Sequence, residues 1–206
     1  MIDFFLNAYK DVSRLQVILE FIAFFFGIVS VWLAKKENIW VYPTGLISTI
    51  ITVYLLYRAQ YFGDMTINIY YSIMSIYGWI LWSKNNNKSN LEIAKTNNTE
   101  KIIGFGMFLL TMILTYFVYG FFDYSLKIPN YIDIFTSGIF FTAMWYMATK
   151  KIESWILWIL GDCIAVPLFA YRGLGMLALQ YLIFTILAVS AYLEWKKILD
   201  NKPPTL

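Results

Sequence analysis

Histidine is absent from this 206-residue chain, and Cys163 is its single cysteine. Together these absences exclude intrachain disulfides, Cys/His zinc sites, imidazole acid–base catalysis and Cys–His nucleophilic pairs. Charge is scarce too: only 14% of residues are charged, against about 25% in soluble domains. The net charge is +3, with no basic patch interleaved with base-stacking aromatics. No nucleic-acid partner is therefore expected, and the slight excess of Lys and Arg suits anionic lipid headgroups. No nucleotide-binding motif is present, so no ATP-driven chemistry is expected within this chain; no cofactor and no metal are expected either. The N-terminal MIDFFLNAYKDVSRL has no small-residue cleavage site and does not read as a cleavable signal.

What the chain has instead is apolar length. Hydrophobic residues make up 60% and aromatics 20%, in several runs of about 20 nearly uncharged residues, the length a helix needs to cross a bilayer. The expected fold class is therefore all-α integral membrane, with seven transmembrane helices. Residues 1–16 predict a surface amphipathic helix, with Phe4, Phe5, Ala8, Val12 and Leu15 at helical spacing. Residues 17–83 hold three spans, and 84–100 read as a polar cytoplasmic linker that buries no core and moves freely. Residues 101–123 form a connecting span, 130–197 hold three more, and 198–206 are a cytoplasmic tail. The loops on the N-terminal side carry five Lys and Arg and those on the other side eleven. The positive-inside rule then puts the N-terminus outside and the C-terminus in the cytoplasm.

The two halves repeat. WLAKKENIW at 32–40 parallels YMATKKIESW at 146–155, Tyr57-Arg58 parallels Tyr171-Arg172, and Trp82 parallels Trp195, with slips of one or two residues. Two three-helix units joined by one extra span must run parallel, giving a 3+1+3 plan with a site expected between the units near mid-membrane. Trp40, Trp82 and Trp195 read as interface anchors, as does Trp145, and the lysine pairs as border features.

Among acidic residues in the spans, Glu20 and Asp133 fall within about a turn of the outer border. Asp162 lies about 10 to 13 Å inside its helix, where a carboxylate costs about 2.5 to 3.5 kcal/mol. Trp155 and Trp158 stand at i and i+3, and Asp162 is four residues after Trp158, so all three can face one groove. Two aromatics leading to a carboxylate suit a flat cationic ring, through stacking, cation–π attraction and a counter-charge. Tyr70, Tyr71, Ser75 and Trp79 fall at helical spacing in the third span and could add stacking and hydroxyl contacts.

The segments ENIWVYPTG (37–45), SIYGWILW (75–82), KKIESWILWILGD (150–162) and AYRGLGMLALQYLIFTILAVSAYLEW (170–195) resemble the PnuC-type vitamin transporters. The best-known members of that family carry nicotinamide riboside, and it also has thiamine-carrying members. The resemblance covers nearly the whole chain. It implies a bacterial inner-membrane facilitator of SWEET-like fold, not an enzyme. It also implies a homotrimer, with diffusion drawn inward by phosphorylation of the vitamin. The family's W-x-x-W motif falls on Trp155 and Trp158. The following polar residue, expected as asparagine in riboside carriers, is Asp162 here. Nicotinamide riboside and thiamine are both flat cations, so the extra charge leaves both open.

Two other seven-span readings fare worse. An opsin-like receptor needs a lysine inside the last span, and 174–195 has none. An intramembrane aspartic protease needs two carboxylates in one site, whereas Asp133 and Asp162 come out about 12 Å apart in depth. It stays a remote alternative.

Overall fold

The computed structural model describes residues 13–58, 62–83, 91–121, 126–171 and 175–201. Among them run seven helices: α1 (Arg14–Lys35), α2 (Val41–Arg58), α3 (Phe62–Ser83), α4 (Asn98–Phe121), α5 (Ile128–Ala148), α6 (Glu153–Tyr171) and α7 (Gly175–Asp200). The expected surface helix at 1–16 falls almost wholly outside the described residues. Ser13 caps α1 by accepting from the Gln16 amide at 3.3 Å, so α1 starts three residues before the expected span.

By length and apolarity alone, α1, α4, α6 and α7 can each cross a membrane. The other three carry several hydroxyls, many of which donate to backbone carbonyls, as hydrocarbon favours. Ser48 donates to the Ala23 carbonyl at 2.8 Å, Thr52 to Ser48 at 2.8 Å and Ser137 to Asp133 at 2.7 Å. Large apolar side chains such as Phe21, Phe105, Phe117 and Phe121 stand exposed on the outside, a surface that only lipid or protein can cover.

Helix α1 packs on α2, α2 on α3, α5 on α6 and α6 on α7; α1 also meets α7, and α3 meets α5. These six helices close a ring, and α4 leans chiefly on α5.

The turns ending α1 and α5 are the same turn. Asn38 N–H donates to the Leu33 carbonyl at 3.0 Å and Lys151 N–H to the Tyr146 carbonyl at 2.8 Å, each a helix-ending Schellman bond. The residues just before them, Glu37 and Lys150, both have φ of 52°, a left-handed conformation that costs side-chain-bearing residues strain. Glu37 and Lys150 are 113 residues apart and form an ion pair at 2.9 Å.

That spacing corrects the register read from sequence. The lysine pairs do not correspond: Lys36 occupies the place of Thr149, and Glu37 that of Lys150. Likewise Arg58, the last residue of α2, matches Tyr171, the last of α6; Arg172 lies outside the described residues. With this register the C-terminal ends of α1 and α5 coincide, as do those of α2 and α6.

Trp82 and Trp195 keep their correspondence but are not interface anchors. Both are buried. The Trp82 indole N–H donates to the Ala148 carbonyl at 3.0 Å, and the Trp195 indole N–H to the Lys35 carbonyl at 3.1 Å. Each half thus caps a helix end of the other half, at positions with the same spacing. Behind them Tyr42 meets Trp82 edge to face at 5.1 Å, and Trp155 meets Trp195 likewise at 5.4 Å. Trp40 does stand exposed. Trp195→Phe should cost about 1 kcal/mol, because it leaves the part-buried Lys35 carbonyl without its donor. The melting temperature in detergent measures this, and an unchanged value would show the bond to be dispensable.

The described part of the expected linker, residues 91–100, is held in place by specific contacts. Asn97 and Glu100 form a reciprocal capping box at 2.8 Å in both directions, which starts α4 at Asn98. Before it, Ala94 pairs in parallel with Lys151, and Ile93 is only 1% exposed in the same core cluster as Trp82, Trp155 and Trp195.

Candidate functional site

Helix α6 carries the chemistry, with Asp162 midway along it. The Asp162 side chain is 2% exposed, and its Oδ1 has no hydrogen-bond partner. The place corresponding to Asp162 in the first half is Thr49, whose hydroxyl accepts from Ser72 at 2.8 Å. The counterpart of Ser72 is Thr185, which donates instead to the Tyr181 carbonyl at 2.8 Å. One half satisfies this position internally; the other leaves a carboxylate oxygen waiting, at the cost that burying an unpaired polar group carries.

One turn before Asp162, Trp158 stacks on Phe140 at 5.4 Å and 28°. Phe140 stacks in turn on Tyr181 at 5.9 Å, and Tyr181 on Phe169 at 5.0 Å and 8°. Tyr71 of α3 approaches Trp158 at 6.1 Å, tilted by 52°. The column stands against α6 because Gly161 has no side chain: a Cβ there would lie 2.3 Å from the Phe140 ring. In the first half the corresponding places hold Gly27 for Phe140, Gly45 for Trp158 and Ser48 for Gly161. The column itself is thus built from α5, α6 and α7, with Tyr71 of α3 joining it from the first three helices.

The remaining candidate residues are distributed less tightly. Tyr70 lies flat on Phe141 at 3.6 Å and donates to the Phe141 carbonyl at 3.0 Å, so it ties α3 to α5. Ser75 is buried beside Gly45. Trp155 is buried in the aromatic layer with Trp195, and Trp79 is 41% exposed, away from the column. Phe140, Tyr181 and Phe169 were missed by sequence reasoning; in the correct register, aromatics standing where the first half has Gly27 or Asn68 would have marked the first two. Glu20 accepts from Gln16 at 3.1 Å and Asp133 from the Tyr119 hydroxyl, so both are partnered. No cluster of three His, Cys, Asp or Glu that could hold a metal occurs among the described residues.

Residues 17–197 match the family model described as nicotinamide mononucleotide transporter. The chain belongs to this family. Among curated proteins it is 22% identical over 193 residues to the "Nicotinamide riboside transporter PnuC" of Escherichia coli K12, covering 82% of this chain and 81% of that one. The protein of the same description from Shigella flexneri gives the same figures. Among solved structures, the "Crystal structure of the Vitamin B3 transporter PnuC" matches with a TM-score of 0.73 at 18% identity, over 96% of this chain and 86% of that chain. The protein is thus a multi-pass membrane transporter and no enzyme, which removes the protease alternative.

Proposed function

We propose that this protein is a facilitator of the bacterial inner membrane that imports nicotinamide riboside for NAD synthesis. The observation that carries this reading is the unpartnered Asp162 oxygen one turn beyond the Trp158–Phe140–Tyr181 column. A ring bearing fixed positive charge gains stacking and cation–π attraction from Trp158 and a counter-charge from Asp162, in surroundings that screen neither. Tyr71 would close over the ring; Ser75 and Tyr70 offer hydroxyls from the facing unit, and Trp155 and Trp79 complete the assignment read from sequence. Of these, Trp158, Asp162 and Tyr71 have the strongest geometric support.

The substrate would sit between two parallel three-helix units, α1–α3 and α5–α7, joined by α4 in a SWEET-like 3+1+3 arrangement. The common spacing of turns and Tyr/Trp–Trp pairs supports that plan. The lysine-rich end, with Lys35, Lys36, Lys150, Lys151, Lys196 and Lys197, would face the cytoplasm, leaving the N-terminus outside and the C-terminus inside. A homotrimer would cover part of the exposed apolar surface.

A second reading is the same mechanism carrying thiamine, since the Asp162 carboxyl suits a thiazolium as well as a pyridinium and leaves both open. Calorimetry of the purified protein against nicotinamide riboside, thiamine and riboflavin decides. Binding of the riboside, with neither of the others, is expected. Binding of thiamine with the riboside silent would replace the first reading by the second, and binding of riboflavin alone would overturn both.

A further inference from the structure

Residues 91–97 lie across the lysine-rich end of the ring, and several independent contacts hold them there. The Ala94 N–H donates to the Lys150 carbonyl at 3.1 Å, and the Ile152 N–H to the Ala94 carbonyl at 3.0 Å. The Thr96 N–H donates to the Glu153 carboxylate at 3.0 Å, and Lys151 pairs with Glu100 at 2.8 Å. Ile93 inserts into the cluster formed by Tyr42 and Trp82 of the first half and Trp155 and Trp195 of the second. Beside it Lys150 sits 4.4 Å over the Trp82 ring while bonded to Glu37. The Glu37–Lys150 pair thus ties the turn after α1 to the turn after α5 in the same layer.

The same layer holds an unusual share of unsatisfied polar atoms. The hydroxyls of Tyr42, Thr96 and Ser154 and the indole N–H of Trp155 are buried without partners. Such atoms disfavour the closed state, and water entering the layer would satisfy them. A handful of hydrogen bonds and one isoleucine therefore hold shut a layer that gains hydration by opening.

We infer that residues 91–97 are a latch closing the lysine-rich mouth of the transport path, with Ile93 as its plug and Glu37–Lys150 as the tie between halves, and that it must lift for substrate to leave on that side. This rests on the transport reading above.

Two measurements test it in a Cys163→Ser background. Oxidising the Ala94→Cys/Lys151→Cys protein ties the latch to the α5–α6 turn. Uptake into proteoliposomes should fall about tenfold or more and recover with reductant, while calorimetric affinity stays within about twofold. Full-speed uptake by the completely cross-linked protein would overturn the latch. The second measurement needs no substrate. The thiol of Ile93→Cys should react with a membrane-impermeant maleimide about tenfold or more slowly than that of Asn201→Cys at the same end, and adding Glu37→Gln should speed it. Equal rates at both positions would overturn the latch. If the reduced protein moves neither vitamin, the substrate reading falls and the labelling result alone judges the latch.

Discussion

Asp162→Ala is expected to weaken vitamin binding by about tenfold or more, about 1.4 kcal/mol, and at the same time to raise thermal stability. The two halves of that result come from one cause. The carboxylate is buried at mid-helix with an oxygen that finds no partner, so the folded protein carries its desolvation cost with only the substrate to offset it. Removing it relieves about 2.5 to 3.5 kcal/mol of insertion cost, less the small cavity left behind, for a net gain of about 1 kcal/mol or more. A purely structural aspartate would behave oppositely, and loss of stability in the mutant would sink the assignment. Trp158→Ala should match the loss of binding, again about tenfold or more, with expression intact. It should differ in stability, because it removes a ring packed on Phe140. Calorimetry and a melting curve on the two purified mutants give all four numbers; wild-type affinity in both would dissolve the site.

Gly161→Ala is the second large effect. Its new methyl would sit 2.3 Å from Phe140 Cε1 and under 3 Å from two more ring atoms, and Phe140 cannot swing aside because Trp158 and Tyr181 hold it on both faces. Overpacking of this kind costs about 1–3 kcal/mol. Relief requires Phe140 to move and Trp158 to follow, so affinity should fall along with the melting temperature. Gly78→Ala provides the contrast. A Cβ there would lie 2.4 Å from the buried Tyr42 ring, a similar clash in the aromatic layer by the lysine-rich end rather than in the Trp158 column. It should lower stability by a similar amount and leave affinity unchanged. Equal loss of affinity in both mutants would show that general loosening of the fold, not displacement of Trp158, governs binding.

Much of the architecture could be read from the chain because membrane helices follow one dominant rule: an apolar run of sufficient length has few structures open to it. The position of Asp162 was legible for the same reason, since a charge inside such a run stands out. The partners of that residue were not. Thr185 donates to the Tyr181 carbonyl of its own helix, and no pattern in the sequence encodes that choice. Phe140 was invisible as a neighbour of Trp158 because the apolar residues of α5 look alike until packing chooses a face.

The linker shows the limit of composition. Its polar residues led to an expectation of free chain, yet one isoleucine and a capping box suffice to seat residues 91–97, because three tryptophans from elsewhere had already built the place for Ile93. The lysine pairs misled in a similar way. They align by eye, but the backbone aligns Glu37 with Lys150, since a helix-ending turn is defined by its hydrogen bonds and not by the charge of the residues it contains.

By itself, then, the sequence determined that this is a helical membrane protein with a repeated plan, a transporter-family motif set and one costly carboxylate, all consequences of hydropathy and local pattern. Only the tertiary structure decided which aromatics meet, which oxygen is left without a partner, and that Trp82, Trp195 and Ile93 seal one end instead of anchoring it. Those facts depend on contacts between residues far apart in the chain, and such contacts exist only once the two halves have packed against each other.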